Sequence, residues 1–217
     1  MLRRTCRAPA EPSVARRPLA QLGVVLGLAA VAVWFALARW QSGDAAHLAA
    51  SIVELAAFLY LAVITVPLAL IDLEVHRVPN RIVLPSYLVG GALLGGASAI
   101  ACDWAALVIM PAGGAALFVV FFAVAVGSPR GMGFGDVKLA GVLGLFLGHL
   151  GVPQLIVGAF AAFLLGGLFA IALLVARRAG RASAIPFGPW MLAGAWAGIT
   201  AGAPLTDAYL ALFGLAV

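Results

Sequence analysis

GMGFGDVKL, residues 131–139, is the stretch on which the reading of this chain turns. Apolar sequence flanks it on both sides, AALFVVFFAVAVG (115–127) before and AGVLGLFLGHL (140–150) after. A turn holding three glycines therefore delivers Asp136, with Lys138 two positions behind it, to the edge of a membrane. An ionised side chain at bilayer depth costs roughly 2.5–3.5 kcal/mol on insertion scales, so a carboxylate there is a functional suspect by default.

The rest of the chain supports that setting. Of its 217 residues, 65% are hydrophobic and only 10% charged, with a mean hydropathy of +1.14. That leaves too little polar surface to cover a water-soluble globule. A spanning helix needs about 20 apolar residues, and candidates fall at 19–38, 48–71, 82–101, 105–127, 137–150, 153–176 and 189–203. The expected fold is all-α: a polytopic membrane protein of about seven transmembrane helices. It divides into a basic tail (1–18) and a single helical bundle (19–217). The first apolar run is as long as a true span and longer than a signal-peptide core, so it reads as a retained anchor. The tail 207–217 is too short to span alone; it either lies along the interface or extends the last helix.

Of the 13 Lys and Arg, five precede the first segment, two follow the second (Arg77, Arg81), two flank the glycine turn (Arg130, Lys138) and three follow the sixth (Arg177, Arg178, Arg181); Arg39 alone falls on the other side. The positive-inside rule then places the N-terminus in the cytoplasm. The net charge of +5 is dispersed over short loops and reports topology rather than a nucleic-acid surface. Cys6 and Cys102 suit neither a disulfide framework nor a paired CxxC zinc site. Glycine pairs inside the helices (Gly91 with Gly95, Gly144 with Gly148, Gly166 beside Gly167) read as close helix packing in lipid.

Eight carboxylates remain to be explained. Glu11, Asp44, Asp103 and Asp207 fall in tails and outer loops and Glu74 in the loop that Asp72 opens, whereas Glu54, Asp72 and Asp136 belong to apolar segments. Asp72 closes the segment 48–71 on the cytoplasmic side, and Asp136 opens the short segment 137–150 on the same side. That short segment reaches only about 22 Å against a hydrocarbon core of about 30 Å, so Asp136 should sit below the surface. The glycines of GMGFGD (131–136) allow tight turning and close approach of a substrate backbone. Two neighbouring carboxyls share a proton, one polarising water and the other donating to a carbonyl oxygen, which is aspartic peptidase chemistry. Acid positions alone leave two other readings open, a proton-coupled transporter and a Mg-dependent membrane lipid transferase using Asp72, Glu74 and Asp136.

The motifs bear on that choice. GMGFGDVKL resembles the GxGD motif of the prepilin peptidases (type IV leader peptidases), usually GMGxGDxKL. IDLEVHRVPN (71–80) is similar to that family's first aspartate motif, with Val78 and Pro79 six and seven positions after Asp72, and IPFGPW (185–190) resembles a third segment before the last helix. The resemblance implies an endopeptidase of the inner membrane with Asp72 and Asp136 as catalytic pair and no cofactor or metal. It would remove the short basic leader of type IV prepilin or pseudopilin precursors on the cytoplasmic side, typically after Gly. Gly133, Gly135, Lys138, Pro79, Pro186 and Gly188 become candidates for shaping the site or contacting substrate. Long-form members carry a cytoplasmic domain with paired CxxC motifs linked to zinc binding and N-methylation. With two cysteines, this chain looks like the short form, and cleavage without methylation is the expectation.

Several residues have plainer readings. Lys138 suits a snorkelling interface lysine, and His76 and Arg77 a solvated basic loop. Glu54 fits an interhelical hydrogen-bonding group far from the pair. His149 and the tryptophans Trp104 and Trp190 fit interfacial positions, while Pro186 and Pro189 hold the turn before the last helix.

Overall fold

The computed structural model describes residues 26, 27, 29–31, 33, 45–75, 77–127, 132–176 and 186–214. The basic tail 1–18 with Cys6, most of the segment 19–38, His76, Arg130, Gly131 and the basic loop 177–185 lie outside the described residues.

Six helices follow one another: α1 (Ala45–Val75), α2 (Asn80–Ile100), α3 (Trp104–Gly127), α4 (Phe134–Leu150), α5 (Val152–Val175) and α6 (Gly188–Leu212). The described residues between 26 and 33 are helical as well. At lipid depth the backbone must satisfy its own hydrogen bonds, and the helix does so within one segment. By length and composition α1, α2, α3 and α5 can each cross a membrane. The chain is an all-α membrane protein.

One boundary differs from expectation. Asp72 does not close its helix; α1 continues to Val75, so the carboxylate projects from helical backbone one turn before the end. The tail after Thr206 prolongs α6 to Leu212, the second of the two placements expected for it.

The short helix α4 is the centre of the bundle. Twelve of its 17 residues are buried, an unbroken run from Val137 to Gly148 (except Lys138) together with Asp136. Its glycines let α3 come very close. A Cβ on Gly148 would lie 2.8 Å from the Ile109 carbonyl oxygen and one on Gly144 would collide with that of Gly113. A second seam joins α5 to α6. The residues α5 buries are Gln154, Gly158, Ala162 and Gly166, spaced by four; the first three meet Gly194, Gly198 and Gly202 of α6 at backbone distance, and Gly166 meets the Phe187 ring. Small residues four apart give such contacts because lipid supplies no hydrophobic drive between helices, leaving van der Waals packing to hold them. Gly144, Gly148 and Gly166 thus serve packing as expected, whereas a Cβ on Gly91 or Gly167 would meet nothing within 4 Å.

Polar fasteners cross the bundle at different heights. Tyr60 Oη and Ser86 Oγ are 2.9 Å apart, and Trp196 Nε1 donates to Thr65 Oγ1 at 3.2 Å. Near the turn between α2 and α3, His149 Nε2 lies 3.4 Å from Glu54 Oε1 and its Nδ1 3.2 Å from Ser98 Oγ. Glu54 therefore has the interhelical role read from the sequence. His149 is not an interfacial residue, since its side chain is only 7% exposed; the contacts from α1 and α2 bury it. Trp104 is 65% exposed, but Trp190 is half-buried, its ring tilted against Phe169 at 4.6 Å.

Candidate active site

At the end of the bundle opposite Glu54 and His149, three separate sequence segments meet. Asp72 and Glu54 are 18 residues apart on one helix, about 27 Å at 1.5 Å per residue. Asp72 is 3% exposed and Asp136 7% exposed, and they lie near enough for their charges to interact. Each carboxylate is gripped by a glycine amide, because a buried acceptor without a donor would be costly.

The Asp136 grip is local. Gly133 caps α4 in extended conformation. Its N–H donates to Asp136 Oδ2 at 3.2 Å, while the Asp136 N–H donates to the Gly133 carbonyl at 3.0 Å. A carboxylate three residues into a helix, reaching back to the cap amide, also faces the positive end of the helix dipole. The Asp72 grip is long-range: the Gly188 N–H, first residue of α6, donates to Asp72 Oδ2 at 3.0 Å. A Cβ on Gly188 would lie 2.7 Å from that oxygen, so any side chain there would displace the carboxylate.

The loop between α1 and α2 closes the third side. A Cβ on Gly135 would come within 3.0 Å of Val78 Cβ and 3.2 Å of its carbonyl oxygen. Gly135 is thus needed for close approach by the Val78 backbone. Neither Gly133 nor Gly135 adopts positive φ, and Gly131 lies outside the described residues. Pro79 follows in extended conformation and starts α2, accepting the amides of Ile82 and Val83 on its carbonyl at 3.1 and 3.2 Å.

Lys138 is tethered, not simply snorkelling: Nζ donates to Asn80 Oδ1 at 3.1 Å and stands 5.2 Å from the centre of the Phe134 ring. It therefore ties the head of α2 to the head of α4. Pro186 leads into Phe187, whose carbonyl accepts the amides of Trp190 and Met191 at 3.1 Å. The Phe187 ring packs on Phe163 at 5.7 Å and on Phe121 at 6.1 Å, in a hollow left by Gly166. Reading the sequence passed over Asn80, Phe134 and Phe187. All three lie inside or beside the quoted motifs, so proximity to a motif was the available signal. Arg77 is exposed, as the solvated-loop reading expects, and His76 lies outside the described residues.

Glu74 is exposed on α1, and among the described residues no three His, Cys, Asp or Glu side chains are grouped to hold a metal ion.

Comparison with known proteins agrees with this constellation. Residues 57–171 match the model of the type IV leader peptidase family, a span that includes both aspartates. A prepilin leader peptidase/N-methyltransferase of Aeromonas hydrophila is 32% identical over 213 residues, covering 98% of this chain and 67% of the relative. Proteins of the same name from Aeromonas salmonicida (strain A449) and Pseudomonas aeruginosa are 31% and 29% identical over 155 and 201 residues. These cover 71% and 92% of this chain, which spans 52% and 63% of their lengths. No solved structure matches the chain. With more than half of it matched by one family and its motifs gathered around two buried carboxyls, this chain belongs to the type IV leader peptidase family.

Proposed function

We propose that this peptidase works through Asp72 and Asp136 as an aspartic pair, removing the basic leader of type IV prepilin or pseudopilin precursors after Gly at the cytoplasmic face of the plasma membrane. The observation that carries the reading is the convergence of three motifs, up to 116 residues apart along the chain, on two buried carboxyls whose charges interact. Two carboxyls held close together cannot both ionise freely, so they share a proton.

In that state the anionic carboxylate takes a proton from water as its oxygen attacks the scissile carbonyl carbon. The protonated carboxyl donates to the carbonyl oxygen. Collapse of the tetrahedral species breaks the C–N bond, and the leaving amine takes the proton held by the first carboxyl. The glycine amides fix both groups by backbone, which costs no side-chain reorganisation during the reaction.

The same proposal includes seven spans with the N-terminus cytoplasmic and residues 19–217 as one peptidase bundle. The dispersed basic loops support that orientation through the positive-inside rule. The test is co-expression with precursors from the same genome, followed by gel shift and N-terminal sequencing of the product. Asp72→Asn and Asp136→Asn should each abolish processing while the protein still inserts and accumulates, because each group performs half of one proton-sharing unit. Normal cleavage by either variant removes the pair from the mechanism.

A further inference from the structure

α2 and α3 are joined by the short turn 101–103 but touch each other little, because both are drawn onto α4. The seam between them is open to the outside as an apolar groove of about 250 Å3, lined chiefly by Tyr87, Pro111, Ala115, Phe118, Val119 and Leu145. Two features connect this groove to the candidate site. Its wall residue Tyr87 donates its hydroxyl to the backbone carbonyl of Lys138 at 2.7 Å. Its other wall begins a line of rings: Phe118 stacks on Phe122 at 6.3 Å, and Phe122 meets Phe134 edge-on at 6.2 Å. Phe134 is the first residue of α4, two before Asp136.

We propose that this groove is the docking surface for the apolar segment that, by the resemblance to prepilin peptidases, follows the leader in the precursor. The proposal rests on the function argued above, for a leader cut at the margin of an apolar segment requires that segment to lie in lipid beside the carboxyl pair. The line of rings leads from the groove along the side of the bundle to Phe134, two residues before Asp136. Its exposed wall presents the small residue Ala115 one turn from Val119, both exposed. Small residues on a lipid-facing helix permit the close approach that drives association in a bilayer. Depth agrees as well. Gly141, on which the Tyr87 hydroxyl rests, and Leu145 lie five and nine residues beyond Asp136. At 1.5 Å per residue the groove thus occupies about 7–14 Å below the pair. A docked helix with its cut bond at the pair would place its residues from about five to about nine past the cut in the groove.

A photocrosslinking residue at Val119 in the full chain, with full-length precursor in proteoliposomes, tests the placement. Adducts should map to the precursor's apolar segment from about the fifth to the ninth residue past the cut. The same probe at Ile171, 61% exposed on α5, should give none. Ala115→Trp fills the groove and should raise KM for the full precursor by roughly tenfold. It should leave cleavage of a short peptide that spans the cut but lacks the apolar segment unchanged. Adducts only to phospholipid or to a second copy of this chain overturn the proposal, and so does an unaltered KM. Failure of the wild-type chain to cut either substrate would instead overturn the peptidase reading, so the two failures are distinguishable.

Discussion

Gly188→Ala tests whether a backbone amide holds a reacting carboxyl. The added Cβ would stand 2.7 Å from Asp72 Oδ2, 3.1 Å from its Cγ and 3.4 Å from its Cβ. Ordinary contact begins near 3.4 Å for such pairs, so the carboxylate must retreat by about half an ångström or more. That retreat breaks the 3.0 Å bond from the Gly188 amide. Misplacing a catalytic group by about 1 Å can cost about 100-fold, which corresponds to about 2.7 kcal/mol of barrier. The expected result is a fall in kcat of about 100-fold with KM little changed, since the displaced group acts in the transition state rather than in ground-state binding. Initial-rate measurement on purified enzyme with a full-length precursor gives both constants. Gly167→Ala is the matched control: its Cβ meets nothing within 4 Å, so the helix should gain about 0.5–1 kcal/mol with activity intact. A Gly188→Ala enzyme that turns over at the wild-type rate would refute either the grip or the role of Asp72.

Three further outcomes are expected. In a cysteine-free background, single cysteines at 77–79 and 133 should label from the cytoplasmic side and those at 103 and 151 from the outside; labelling of 133 from outside alone would reverse the proposed topology and the substrate side. Glu54→Gln should leave cleavage unchanged within about twofold, as the pair with His149 lies about 27 Å from Asp72, whereas loss of activity with normal accumulation would reconnect the two ends and revive the proton-path reading. The purified 217-residue chain, supplied with methyl donor and precursor, should release a product of unmodified mass, because its two cysteines offer no paired CxxC motif; intact-mass analysis showing an added methyl group would place the methylating function within these residues.

How much of this was legible in the sequence depended on the range of the interaction. Asp136 and its cap Gly133 are three residues apart, and the distance from one apolar run to the next already placed them at a helix start. That Asp72 shares their end of the bundle followed from counting spans, since antiparallel neighbours alternate ends. Contacts across the bundle had no such local signature. Nothing in IPFGPW specifies that its glycine amide meets Asp72, and nothing in GFGD specifies that Val78 is the backbone requiring Gly135. The α1 overrun to Val75 was equally hidden, for polar residues such as Asp72 and Glu74 end an apolar run without ending a helix. His149 shows the same blindness: at the last turn of a short helix it looks interfacial, and only the neighbouring helices bury it.

The site has no rigid scaffold of its own; it depends on seams far from the carboxyls. Asp72 comes from α1, its clamp from α6, and Asp136 from α4. α4 is set by its glycines against α3, and α6 by its glycines against α5. Among the described residues no side-chain hydrogen bond crosses either seam, so their register comes from shape, and in a close-packed interior shape is unforgiving even to one methyl group. The links at the head of the bundle have a different task. Two hydrogen bonds, Lys138 to Asn80 and Gly188 to Asp72, and the close approach of Val78 to Gly135 fasten three chain segments within a few residues of the reacting groups. Packing places the helices to within an ångström or so, and the backbone clamps set the final position of each carboxyl. This division explains why the motifs are rich in glycine on both sides of the pair: an added side chain would prop the clamps open where the chemistry needs them closed.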